Sequence, residues 1–245
     1  AKAIVRLWLG FPPSKSGVRS AGNGPAMRAP IIGAFFADDP KRLADFVRAS
    51  TRITHTDPRA EIGGLAVAIA AAAAVRGPVD PGAVLAQLRA IEADADWRSL
   101  VDRIRDALTV GLPVSDFAAG LGLSRGVTGF IYHSIPVALF AWLRHRGDFR
   151  ATIEAVVRCG GDTDTVASIA GALAGAVVGP EGIPSEWVGG IWDYPCSVAN
   201  LKRLALALGG QPIRAPWPWI ALPPRNAVFL AAVLAHAFRR LLPPY

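Results

Sequence analysis

Apolar residues recur at helical spacing along most of this chain, and no segment alternates apolar and polar residues as a half-buried strand does. Asp57-Pro58 and Asp80-Pro81 each place a capping residue before a proline that suits a first helical turn. Helices are predicted over residues 41–52, 58–76, 81–91, 98–108, 115–121, 134–145, 148–158, 163–178, 198–208 and 227–242. We expect an all-α fold, a compact multi-helix bundle formed by a single domain over residues 1–245.

Two segments carry loop signals instead. Residues 10–29 are rich in Gly, Pro and Ser, and residues 209–225 are rich in Pro and Trp. The most apolar stretch, residues 62–75, is too short to span a bilayer and contains two glycines, so we expect a buried helix and no membrane partner.

The charge distribution and the cysteines argue against a nucleic-acid-binding protein and against a disulfide-rich one. The net charge is +7, but the arginines are scattered and form no Lys/Arg block, which favours a background composition over a nucleic-acid partner. Cys159 and Cys196 form neither a disulfide framework nor a Cys-x-x-Cys motif. A reducing cytoplasm is therefore the expected location.

The strongest local signal is residues 160–165, Gly-Gly-Asp-Thr-Asp-Thr, which open a helix of small residues. Two carboxylates one residue apart repel each other unless a positive group lies between them. Asp162, Asp164 and Thr165 can offer three oxygens from one turn, and oxygen ligands suit hard cations such as Mg²⁺, Mn²⁺ or Ca²⁺. The same residue types are good N-caps, so the pattern favours a cation site while a plain cap stays open.

Four ordered segments resemble the ADP-ribosylglycohydrolase family. Residues 20–28 (Ser-Ala-Gly-Asn-Gly-Pro-Ala-Met-Arg) resemble its glycine-asparagine loop, and residues 54–58 (Thr-His-Thr-Asp-Pro) resemble its Thr-His motif. Residues 129–139 resemble the segment before its penultimate core helix, and residues 160–165 resemble its C-terminal signature. Four motifs in one order are a specific signal.

The resemblance implies an all-α fold with a binuclear Mg²⁺ centre, and an enzyme that removes ADP-ribose from modified side chains or related acceptors. The site residues that it implies are Asp162, Asp164 and Thr165 as metal ligands, and Gly22, Asn23, Gly24 and His55 as contacts to ADP-ribose. From the residues alone, 22–24 is a turn with or without a ligand, and a lone loop histidine is more often structural. Arg28 could pair with a pyrophosphate or with an acidic neighbour.

The chain also departs from the family pattern. The family carries an acidic metal motif and a catalytic acidic residue ahead of the glycine-asparagine loop, and neither is found ahead of Gly22. Asp38-Asp39 lies after that loop and precedes Pro40, so it indicates a helix start. We therefore expect an N-terminally truncated family domain, corresponding to the C-terminal portion, with an incomplete metal site and no assigned catalytic residue. A partner or a missing segment would cover the apolar face left open.

Three functional hypotheses follow. The first is a Mg²⁺-dependent hydrolase that releases ADP-ribose from an arginine, a serine, a nucleotide or another acceptor, which the sequence does not specify. The second is a non-catalytic ADP-ribose-binding or regulatory protein. The third is a helical interaction module that binds no ligand.

Overall fold

The computed structural model describes residues 2–91, 94–191, 193–214 and 219–241. Within these ranges it has fourteen α-helices, one 3-10 turn at Pro180–Gly182 and no β-structure beyond isolated bridges, which confirms the all-α prediction. The helices are α1 Lys2–Trp8, α2 Pro13–Ser16, α3 Gly24–Phe35, α4 Pro40–Arg52, α5 Pro58–Val75, α6 Pro81–Arg89, α7 Ala95–Val110, α8 Val114–Gly120, α9 Ile131–Arg144, α10 Phe149–Val157, α11 Thr163–Val178, α12 Ser185–Gly189, α13 Val198–Leu208 and α14 Leu222–Arg239.

The chain divides into two compact units, residues 1–184 with α1 to α11 and residues 185–245 with α12 to α14. The first unit contains the buried core. In the second unit, the described residues of α12, α13 and α14 include no buried side chain. The expectation of a single domain over residues 1–245 stays a prediction.

Helix α5 lies at the centre of the first unit and packs against α3, α4, α9 and α11. Small residues allow these close approaches: a Cβ atom on Gly33 would overlap the carbonyl oxygen of Ala68, and one on Gly63 would overlap Ile131. Among the described helices, α5 alone is long and apolar enough to cross a membrane, and 61% of it is buried inside the structure. That burial agrees with the prediction of a core helix over this stretch.

The loop predicted over residues 10–29 is wrong in two places, because Pro13–Ser16 forms α2 and Gly24 already begins α3. Pro25 lies in the first turn, where its missing N–H costs no hydrogen bond, and Pro30 lies inside the helix. Packing against α5 holds this proline-containing segment helical, an interaction between elements that local propensity does not register. Helix α14 likewise begins at Leu222, ahead of the predicted start at residue 227, with prolines in its first turn.

Candidate functional site

Four loops of the first unit meet where four helices begin. Isolated β-bridges pair Val18 with His55, Gly22 with Phe130, and Val127 with Gly161. These loops lead into α3, α5, α9 and α11. Residues 18–24, 54–57, 127–131 and 160–165 are called the loop cluster below. Because a helix N-terminus carries the positive end of the helix dipole, the loop cluster favours negative charge.

Asn23 and Asp162, which are 139 residues apart in sequence, are in direct contact. The Nδ2 group of Asn23 donates to Oδ2 of Asp162 at 2.7 Å, and the backbone N–H of Asn23 donates to the carbonyl oxygen of Gly129 at 3.0 Å. Asn23 is only 8% exposed, and a buried amide requires partners of this kind. The contact joins the predicted ADP-ribose loop to the predicted metal motif.

The three predicted metal ligands lie at the N-terminus of α11. The hydroxyl of Thr165 donates to Oδ1 of Asp162 at 2.8 Å, and the backbone N–H of Thr165 donates to Oδ1 of Asp164 at 2.9 Å. Asp162 occupies the N-cap position, but its side chain makes no capping hydrogen bond, so capping does not account for it. Burial alone would raise the pKa of Asp162, but hydrogen bonds with Asn23, Thr165 and Asp164 outweigh burial and hold the pKa below its usual value.

The donor chemistry of this turn fits part of the shell of a hard cation. Mg²⁺ takes about six oxygen ligands, and Asp162, Asp164 and Thr165 can offer three. Within the described ranges, no group of three or more His, Cys, Asp and Glu side chains is arranged to hold a metal ion. Water, the ligand or other groups would have to complete the shell, and the magnesium site stays a prediction.

His55 lies against the turn formed by residues 22–24. A Cβ atom on Gly22 would lie 3.1 Å from Nε2 of His55, and one on Gly24 would lie 3.2 Å from Cε1. The two glycines therefore leave the space that the imidazole needs. Nδ1 of His55 is 2.8 Å from the hydroxyl of Thr54. Burial and then the charge of Arg28 lower the pKa of His55, which favours the neutral form of the ring.

Arg28 is anchored to neutral groups of the protein. Its guanidinium donates to the carbonyl oxygens of Gly24 and Ser50 at 3.1 and 2.9 Å, and to the hydroxyls of Ser50 and Thr54 at 3.2 and 3.0 Å. Among the described residues, no acidic side chain forms an ion pair with Arg28. Arg28 thus ties the start of α3 to the end of α4 and to the Thr54–His55 pair.

Two side chains were not singled out by the sequence patterns: Thr128 inside the loop cluster and Arg59 beside it. The guanidinium of Arg59 lies 5.3 Å from the ring centroid of Phe130 and 2.9 Å from Oδ2 of Asp57. The hydroxyl of Thr128 is 2.8 Å from Nδ1 of His133. The capping signal at Asp57 was readable in the sequence, but its pairing with Arg59 and the contact of Arg59 with a ring 71 residues later were not.

A cleft of about 740 Å³ opens beside the loop cluster. Its walls include His55, Asp57, Glu61 and Asp94, with the apolar side chains of Ile62, Leu65 and Ile91. This volume lies in the range of small-molecule pockets. Of the predicted site residues, His55 alone lines the cleft, so the cleft meets the loop cluster on the His55 side and not at Asp162.

Comparisons with known proteins agree with the four motifs. "ADP-ribosylhydrolase ARH3" of Gallus gallus is 30% identical over 209 residues, covering 72% of this chain and 56% of that protein. The Homo sapiens protein of the same name is 27% identical over 209 residues, with the same coverage of 72% and 56%. The chain therefore spans a little over half the length of these curated relatives.

The fold and the sequence match point the same way. A solved structure titled "ADP-ribosylglycohydrolase-related protein complex" superposes with a TM-score of 0.66 at 27% identity, covering 84% of this chain and 66% of that one. A sequence model described as ADP-ribosylglycohydrolase matches residues 1–214, which contain the whole loop cluster. The chain belongs to the ADP-ribosylglycohydrolase family.

Proposed function

We propose that this chain binds ADP-ribose in the loop cluster and, with Mg²⁺, takes part in hydrolysing the bond that joins ADP-ribose to a modified side chain or a related acceptor. The hydrogen bond from Asn23 to Asp162 at 2.7 Å is the observation that carries this proposal. It brings the glycine-asparagine loop and the acidic turn of a family domain into one site, which neither motif achieves alone.

The diphosphate is the part of the ligand that the loop cluster suits best. Four helix N-termini converge there, and the turn at residues 22–24 adds the backbone N–H groups of Gly22 and Gly24, while that of Asn23 donates to Gly129. Helix N-termini and such turns bind phosphate groups through their N–H dipoles. The ring of His55 lies against the same turn, where it can exchange a hydrogen bond with a ribose hydroxyl.

Asp162, Asp164 and Thr165 would hold the cation, with Asn23 fixing the orientation of the Asp162 carboxylate. A bound Mg²⁺ would supply Lewis-acid charge and orient the ribose hydroxyls. Hydrolysis breaks the bond between the anomeric carbon and the acceptor atom; the water oxygen joins the carbon, and a proton goes to the acceptor. We assign that proton transfer to none of the described residues.

A non-catalytic ADP-ribose-binding role is the second candidate. Both oxygens of Asp162 already accept hydrogen bonds, from Asn23 and Thr165, and are therefore satisfied without an ion. Binding of ADP-ribose through the 22–24 turn and His55 would then not depend on the cation.

Calorimetry and an ADP-ribose release assay on the 245-residue chain separate the two candidates. The hydrolase proposal predicts that Mg²⁺ strengthens ADP-ribose binding and that serine- or arginine-ADP-ribosylated peptides release ADP-ribose. Asp162→Asn should reduce both effects at least about tenfold, while Asp148→Asn, at the N-cap of α10, should change neither. Metal-independent binding without release would favour the second candidate, and absence of ADP-ribose binding would refute both.

A further inference from the structure

The region that follows the family match has its own composition. The match ends at residue 214, whereas α14 spans Leu222–Arg239. Residues 185–245 contain six Lys and Arg residues and two acidic residues, a net charge of +4 out of +7 for the whole chain. No Asp or Glu occurs after Asp193. More than half of the net positive charge therefore lies in the second unit.

Helix α14 presents an exposed apolar face. None of its residues is buried, and the large side chains on one side are well exposed, with Leu230 at 57% and Phe238 at 64%. Leu234, which is 46% exposed, lies between them on the same side at a spacing of four residues. Trp219 and Ile220, just before the helix, are also exposed.

The side of α14 opposite Leu230 and Leu234 carries its basic residues, together with the exposed ring of Phe229. Arg225, His236, Arg239 and Arg240 fall together when the sequence is placed on a helix, and no acidic residue shares the helix with them. Arg225 is paired with Asp193 at 2.6 Å. Within the described part of the chain, Arg239 and Arg240 have no ion-pair partner, so two uncompensated positive charges lie at the C-terminal end of the helix.

We propose that α14 lies in the interface of an anionic lipid surface. A helix with an apolar face, several basic and no acidic residues, and a nearby exposed Trp has the composition of interfacial amphipathic helices. The charge of this unit selects an anionic surface as the occupant, because residues 185–245 carry a net charge of +4 and no acidic residue follows Asp193. By length and composition α14 does not qualify as a membrane-crossing helix, so the expected mode is lying on the surface. This inference is independent of the proposed hydrolase function and departs from the expectation of no membrane partner.

The test is co-sedimentation of the full chain with vesicles of phosphatidylcholine alone, and with vesicles that contain about a quarter phosphatidylglycerol. We expect the partition coefficient to be at least about tenfold higher on the anionic vesicles, and to fall as salt rises from about 0.1 to 0.5 M. Leu230→Glu/Leu234→Glu should abolish binding, and Arg239→Glu/Arg240→Glu should lower it at least about tenfold.

Val110→Glu serves as the matched control, because Val110 is 72% exposed at the end of α7, in the first unit, and should leave vesicle binding unchanged. Circular dichroism of each variant should match the wild type, since α14 has no buried side chain to disturb. No preference for anionic vesicles would overturn the proposal. The proposal would also be overturned if the chain does not bind vesicles but forms a dimer that Leu230→Glu/Leu234→Glu disrupts. A second copy of the chain would then cover the apolar face of α14.

Discussion

At the scale of single residues, the Asn23–Asp162 contact gives each side chain a hydrogen-bond partner that its own helix start does not provide. Asp162 stands at an N-cap without capping, and Asn23 is buried at the start of α3 without capping it either. Each is satisfied by the other across 139 residues of sequence. A half-buried carboxylate that is oriented by an amide and a hydroxyl keeps its charge, as a cation ligand must.

Replacing the amide of Asn23 by a carboxylate tests this contact. In Asn23→Asp, two carboxylates would face each other where a 2.7 Å hydrogen bond now forms, and we expect the free energy of unfolding to fall by about 2–3 kcal/mol at pH 7. The repulsion raises the carboxyl pKa in the folded state, so the loss should shrink as pH falls towards about 4. Urea unfolding at several pH values measures it, with exposed Gln87→Glu as the control; equal stability of Asn23→Asp and wild type at pH 7 would contradict the contact.

The titration of His55 tests the second residue of the site. Because burial and Arg28 lower its pKa, its NMR titration midpoint should lie below the usual 6.5. As pH falls through 6.5, the imidazole is protonated in the unfolded chain before it is protonated in the folded chain. The free energy of unfolding therefore decreases as pH falls from 6.5 towards the folded-state pKa of His55. Arg28→Gln should raise the midpoint, whereas Arg28→Lys, which keeps the charge, should leave it lower than in Arg28→Gln. A midpoint that does not respond to removal of the charge would show that Arg28 has no influence on the ring.

At the scale of elements, the crossing of α3 and α5 positions the loop cluster, because α3 carries the 22–24 turn and α5 follows His55. Gly33 lets the two helices approach until its Cα hydrogens face the carbonyl oxygen of Ala68.

We predict that Gly33→Ala lowers the free energy of unfolding by about 3 kcal/mol, because the added methyl group overlaps the backbone of Ala68. Gly82→Ala in the first turn of α6, where the nearest atom is 3.4 Å away, should be neutral or stabilising by up to about 1 kcal/mol. Urea unfolding followed by circular dichroism compares them, and equal effects of the two substitutions would refute the close crossing.

Most helices could be predicted from the sequence because their signals are local. Asp39, Asp57, Asp80, Asp94 and Asp148 each accept a hydrogen bond from a backbone N–H in the first turn that follows. Helix α3 could not be predicted, because its glycines and prolines resemble a loop and only its packing against α5 reveals it. The same limit applied to the site: each motif was readable, but the contact between Asn23 and Asp162 depends on how four helices pack.

At the scale of the whole molecule, every residue of the loop cluster precedes residue 166, and the family match ends at residue 214. Ending the chain after Arg214 removes α14 and should leave the ADP-ribose dissociation constant within about a factor of two. The same truncation should abolish binding to anionic vesicles. Calorimetry and co-sedimentation of one protein preparation measure both results. A large loss of ADP-ribose affinity would contradict the independence of the two activities.

The cytoplasmic location and the absence of a nucleic-acid partner stay predictions.

The most direct test of the central claim is a double-mutant cycle on ADP-ribose affinity, measured by calorimetry in Mg²⁺ with Asn23→Ala, Asp162→Ala and the double variant. If the glycine-asparagine loop and the acidic turn form one site, the two substitutions should be non-additive, with a coupling free energy of at least about 1 kcal/mol. Additive effects, or full affinity in the double variant, would contradict a shared site.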